Sequence, residues 1–129
     1  MAFWYNRWTL SGRVVKDPGP PRYLPSGQPQ LDFMIANSRP SAGKGTTQTE
    51  QVSFFEIVTR GRQADACAEH LRKGSPVFIE GEAMQMAYPA SGNAPIRKRV
   101  VLRARMVWFL APGINMTAAE DPSGVEVPE

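Results

Sequence analysis

Apolar residues recur at every second position through most of this chain, the spacing of strands that bury one face. "NRWTLSGRVVKDP" carries Trp8 and Leu10, then Val14 and Val15 beyond Gly12, and predicts a first strand with a bend or bulge at the glycine. The Pro- and Gly-dense "DPGPPRYLPSGQPQ" predicts a turn or the join of a hairpin. "LDFMIANS" sets Leu31, Phe33 and Ile35 against Asp32, Met34 and Ala36, as a half-buried second strand does. "RPSAGKGTTQTE" has no period and predicts a loop carrying Lys44.

In "QVSFFEIVTRGRQA" the alternation is mixed. Phe55, Ile57 and Thr59 share one face of this third strand, while Phe54, Glu56, Val58 and Arg60 share the other. The two adjacent phenylalanines must therefore point opposite ways, one into a core and one elsewhere. "RQADACAEHLRKG" then changes period, with Ala64, Cys67, Ala68 and Leu71 at i, i+3, i+4 and i+7. This predicts one short amphipathic helix, capped by Gly74, with Arg72 and Lys73 in a last turn where cations favour the helix dipole. "PVFIEGEAMQMAY" predicts a fourth strand bulged at Gly81, "PASGNAP" a turn, and "IRKRVVLRARMVWFL" a long fifth strand. Five strands with a single helix between the third and fourth make the expected class all-β. The layout is that of the OB-fold, a five-stranded Greek-key barrel whose open face and loops bind oligonucleotides or oligosaccharides. The OB-fold domain is expected to span residues 1–110, and 111–129 to form a disordered acidic C-terminal tail.

At 129 residues and 42% hydrophobic content the chain suffices for one core. It has no apolar run approaching the roughly 18 residues that span a bilayer. "MAFWYNRW" lacks the charged and apolar regions of an export signal, so a soluble, cytoplasmic protein is expected. Cys67 and His70 are the only residues of their types, which removes an intrachain disulfide, a cysteine zinc cluster and most nucleophile chemistry. No metal, no cofactor and no enzymatic activity are expected. Residues 1–110 hold all 15 Lys and Arg against 8 acids, hence +7, and the four acids beyond give the tail −4. A basic body with an acidic tail suits a protein that handles polyanions.

Binding unpaired nucleic acid requires cations along the phosphates and flat rings on which bases stack. The candidate rings are Phe54 and Tyr88, the latter at the tip of the fourth–fifth strand hairpin. The candidate cations are Arg22 and Lys44 on loops, Arg60 and Arg62 at the end of the third strand, Lys73 after the helix, and Arg97 and Arg99 across the turn from Tyr88. Three of them have a plainer reading: Phe54 in a subunit interface, Tyr88 as a turn residue before Pro89, and Lys73 as a partner of the helix dipole. Trp8 and Trp108 read as core, Met84 and Met86 as fillers of core or interface gaps, and Cys67 as a buried apolar residue.

The segments "NRWTLSGRVVKDP", "RYLPSGQPQLDFMIANS", "ADACAEHLRKGSPVFIEGE" and "VWFL" resemble, in order and spacing over about residues 6–110, the bacterial single-stranded DNA-binding protein family. The resemblance implies sequence-independent binding and protection of single-stranded DNA in replication, recombination and repair. It places the family's aromatics early in the third strand and at the hairpin tip on Phe54 and Tyr88. It also implies a homotetramer, a nucleoid-associated bacterial location, and recruitment of replication and repair proteins through the tail. The chain departs from the pattern in several places. "RPSAG" lacks the aromatic expected there, Arg60 replaces another, Met84 and Met86 replace basic residues, and Glu56 stands where a cation is common. Weaker binding with a shallower salt dependence is therefore expected. Pro76 lies beside an assembly edge, which leaves a dimer as the alternative, and "VEVPE" lacks the family's acidic, hydrophobic tip. The competing function is that of an accessory OB-fold protein of primosome or DNA-uptake type, acting through protein contacts.

Overall fold

The period-two residues meet around a closed ring of strands. The structure, a computed structural model, describes residues 3–41, 49–88, 92, 97–110 and 116–119. Its elements in chain order are β1 (Trp8–Val14), β2 (Arg22–Tyr23), β3 (Pro29–Ser41), β4 (Thr49–Arg60), α1 (Arg62–His70), β5 (Pro76–Tyr88), β6 (Arg97–Leu110) and β7 (Met116–Ala119). β1 pairs antiparallel with both β3 and β5, β3 with β4, and β5 with β6, while β4 runs parallel to β6. The ring β1–β3–β4–β6–β5–β1 is thus closed, and it is the expected five-stranded OB-fold barrel. Among the described residues no helix is long and apolar enough to cross a membrane.

Inside lie the residues that alternation assigned to the core. Leu31, Phe33 and Ile35 from β3 meet Ile57 from β4, Val77 and Ile79 from β5, and Leu102 and Val107 from β6, all buried. Helix α1 covers the barrel with Ala64, Cys67 and the following Leu71, the face its spacing predicted. Trp8 packs half-buried at the rim of this core, edge-on to Phe55 with ring centroids 5.7 Å apart. Trp108 is buried too, but against Phe78 at 5.4 Å and apart from the main cluster.

Two glycines let the ring close. At Gly12 the β1 strand passes from β5 to β3, and a Cβ there would lie 2.5 Å from the Ala36 carbonyl oxygen. The irregularity expected at Gly81 is there, but the bulged strand is its partner: Glu80 opposes Met106 and Gly81 opposes Ala104, so the extra residue is Arg105 of β6 and not one of β5. A Cβ on Gly81 would collide with the Arg103 carbonyl oxygen, which is backbone and cannot rotate away. Gly81→Ala is expected to cost about 1–3 kcal/mol of stability. The check is a urea midpoint, and a midpoint equal to wild type would mean that the strands are not this close.

The structure corrects several expectations. The β3–β4 ladder continues to Ser41 opposite Thr49, with Arg39 bonded to Gln51, so 39–41 and 49–50 are strand where a loop was expected. Residues 42–48, with Lys44, lie outside the described residues, as do 89–91 and 93–95 of the expected turn. The turn that was expected before β3 contains a short strand, β2, whose Tyr23 pairs with Pro29. The third strand ends at Arg60, and Gly61, with φ 68°, turns the chain so that Arg62 begins the helix. Gly74 does not cap that helix, which ends at His70 with the Leu71 N–H donating to the Cys67 carbonyl. The Gly74 N–H donates instead to the Val14 carbonyl, and the Ser75 carbonyl accepts from the Val14 N–H. This docking onto β1 holds Gly74 at φ 87° and leaves Arg72 and Lys73 beyond the last helical turn. Within the expected tail, Met116–Ala119 form β7 along Leu110–Val107 of β6, because β4 pairs with β6 only at Leu102 and Arg103 and leaves that end of its edge open. The rest of 111–129 lies outside the described residues.

Candidate nucleic-acid interface

Cross-strand partners share a face, so the outer surface can be followed from register alone. Across β3 and β4, Ala36 opposes Phe54, Met34 opposes Glu56 and Asp32 opposes Val58. Val58 neighbours Arg103 of β6, which opposes Glu82 of β5. Further along the same two strands Val101 opposes Met84, Arg99 opposes Met86 and Arg97 opposes Tyr88. One continuous outer face therefore spans β3, β4, β6 and β5.

On it Phe54 stands 59% exposed, while Phe55, one residue on, packs on the core. The opposite ways that two adjacent phenylalanines must take are thus resolved. Its partner Ala36 is too small to cover the ring, and Met34 beside it is also exposed. Glu56 accepts a hydrogen bond from Arg99 Nη2 at 2.7 Å, tying β6 to β4 across a sequence separation of 43 residues. Arg97 is exposed at the start of β6, and Tyr88 ends β5 with its backbone paired to Arg97.

A second cationic end lies where β2, β3 and β4 meet. Arg60 Nε donates to Gln30 Oε1 at 3.2 Å, Gln30 Nε2 donates to Asp32 Oδ1 at 3.1 Å, and Arg22 Nη2 reaches Asp32 Oδ2 at 3.4 Å. The polar chain holds both guanidinium groups at one end of the sheet. Surface pairs such as Arg22 with Asp32 contribute only about 0–1 kcal/mol to stability, so their role is placement.

The predicted residues thus fall into groups. Phe54, Arg97, Arg99 and the backbone of Tyr88 come together at one end of the face, and Arg60 and Arg22 at the other. Arg62 and Lys73 do not join them: Arg62 is exposed at the start of α1 and Lys73 in the turn after it, where its backbone N–H donates to Asp17 Oδ1 at 2.6 Å. The sequence reasoning missed Tyr23, 69% exposed next to Arg22, because a two-residue strand has no readable period. It also missed Arg103, which stands mid-face between Val58 and Glu82 and whose place depends on register. Chemically, the arrangement offers an apolar platform with guanidinium groups on both sides. Such a surface can stack flat rings while it neutralises anions.

The model of the Single-strand binding protein family matches residues 5–109. The chain is similar to the single-stranded DNA-binding protein of Thermotoga maritima, with 34% identity covering all of this chain and 89% of that protein. It is 32% identical to the single-stranded DNA-binding protein of Treponema pallidum, over 90% of this chain and 64% of the relative. The protein of the same description from Aquifex aeolicus is 28% identical, over 90% of this chain and 78% of the relative.

Proposed function

The chain belongs to the single-strand binding protein family, and on that premise we propose that it binds single-stranded DNA without sequence preference and protects it during replication, recombination and repair. The observation that carries the reading is the exposed Phe54 ring, set on a rigid central strand with arginines on either side. Bases stack on Phe54 and Tyr88, while Arg97, Arg99, Arg60 and Arg22 take phosphates. Arg62 and Lys73 serve the strand where it leaves the sheet, and Lys44 is a further phosphate contact. Stacking accepts any base because every base has a π-face, which is the physical basis of sequence tolerance. The module acts by binding alone and catalyses nothing. The barrel through residue 110 is the binding unit, and the acidic segment after it contacts other proteins. A homotetramer is the assembly that fits the family, with a dimer as the alternative because Pro76 removes a backbone donor where β5 begins.

The test is titration with unstructured oligothymidine at two salt concentrations, with duplex DNA as competitor. The expected result is binding that weakens with salt and is not displaced by duplex. No binding by micromolar protein at low salt would overturn the reading and favour the accessory role through protein contacts.

Glu56 supports a second expectation. Its carboxylate is bonded to Arg99 and so competes with phosphate for that guanidinium. Glu56→Gln is expected to tighten binding up to about fivefold at low salt, and to steepen the salt slope by up to about 0.7. An unchanged slope would place Arg99 away from the DNA backbone.

A further inference from the structure

Three consecutive aromatic residues precede β1, and all are open to solvent: Phe3 at 96%, Trp4 at 85% and Tyr5 at 86%. Chain ends are poorly held unless something ties them down. Here a tie exists. The Asn6 side chain donates through Nδ2 to the Ala83 carbonyl at 2.6 Å and accepts through Oδ1 from the Ala83 N–H at 2.9 Å. One side-chain amide thus satisfies both backbone groups of a β5 residue, as a neighbouring strand would. The clasp keeps the register of β1, in which Trp8 opposes Gly81, so Asn6 lies level with Ala83 and the arm starts next to Met84. Met84 belongs to the outer face that carries Phe54 and Arg99. Directly after the clasp, Arg7 and Arg105 line a shallow groove with Glu80 and Met106.

We propose that the clasped arm Phe3–Trp4–Tyr5 is an additional base-stacking segment, which takes the nucleotides of a single strand as they pass off the β5 edge of the face. The inference rests on the single-strand binding reading above. Continuity carries it: the arm begins where the proposed face ends. The charge agrees, because two cations, Arg7 and Arg105, outnumber the one acid, Glu80, in the groove just after the clasp. The outer side of β5 beyond the clasp carries Met84 and Met86 and no ring before Tyr88, so the arm adds stacking area that this part of the strand lacks. Three large exposed rings in sequence are costly to solubility, and a recurrent ligand accounts for them better than chance exposure does.

The experiment compares the full chain, Trp4→Ala, the triple variant Phe3→Ala/Trp4→Ala/Tyr5→Ala, and Phe54→Ala. For each, binding to oligothymidines of increasing length is followed by fluorescence anisotropy of the labelled DNA, and mass in solution by light scattering. The expected result is that Trp4→Ala binds long oligothymidine about fivefold more weakly or worse, with the triple variant weaker still. The shortest oligomers that bind should show little difference, and the mass should not change. Arm variants that bind all lengths like wild type, while Phe54→Ala is weakened, would overturn the arm and leave the proposed function standing. Arm variants that change mass but not intrinsic affinity would assign the rings to a second copy of the chain and overturn the proposal. If wild type itself binds no oligothymidine, both inferences fail together.

Discussion

Phe54→Ala is expected to weaken binding of oligothymidine by about 1–3 kcal/mol, roughly five- to 150-fold, with no change in salt slope. The reason is geometric. The ring is 59% exposed, faces away from the core and opposes only Ala36, so its removal takes stacking area from the surface and leaves no cavity behind. The slope stays constant because the ring carries no charge and displaces no counterion. The checks are anisotropy titrations at several salt concentrations, together with a urea curve for each protein. Equal affinity for wild type and variant would remove the stacking role, and a large loss of stability would show that the ring belongs to an interface.

Ile57→Ala, three residues along the same strand, is expected to do the opposite. It should cost about 2–5 kcal/mol of folding stability, because Ile57 is wholly buried in the main cluster and truncation leaves a void lined by rigid strands. Where the variant still folds, its affinity for DNA should stay close to wild type. The pair of substitutions therefore tests the two faces of β4 independently. A mild Ile57→Ala with a severe stability loss in Phe54→Ala would invert the assignment of the faces.

Both expectations are largely legible in the amino-acid sequence, because each depends on a local rule. A period of two assigns Phe54 and Ile57 to opposite sides of any strand, whatever that strand pairs with. The same rule fails at Val58, which shares the alternation of Phe54 yet is fully buried, since Asp32 and Arg103 flank it in neighbouring strands. Helix α1 is legible from its 3.6-residue spacing. Its end is not, because the Gly74 pairing with Val14 belongs to β1 and to no local signal. Arg62 illustrates the same limit, since a single positive φ at Gly61 takes it off the strand and onto the helix.

The alternation of side chains, helix α1 and the split between a basic body and an acidic end all follow from residues close together in the chain. What required the folded barrel is the company each residue keeps. Glu56 meets Arg99, Asn6 clasps Ala83, and Arg60 meets Gln30, over separations that run from 30 residues to 77. Such contacts depend on strand register and on closure of the ring, and a shift of one residue would turn every side chain to the other face. Local preference chooses the side of a strand on which a residue lies, while the neighbours it finds there are set by how distant strands align.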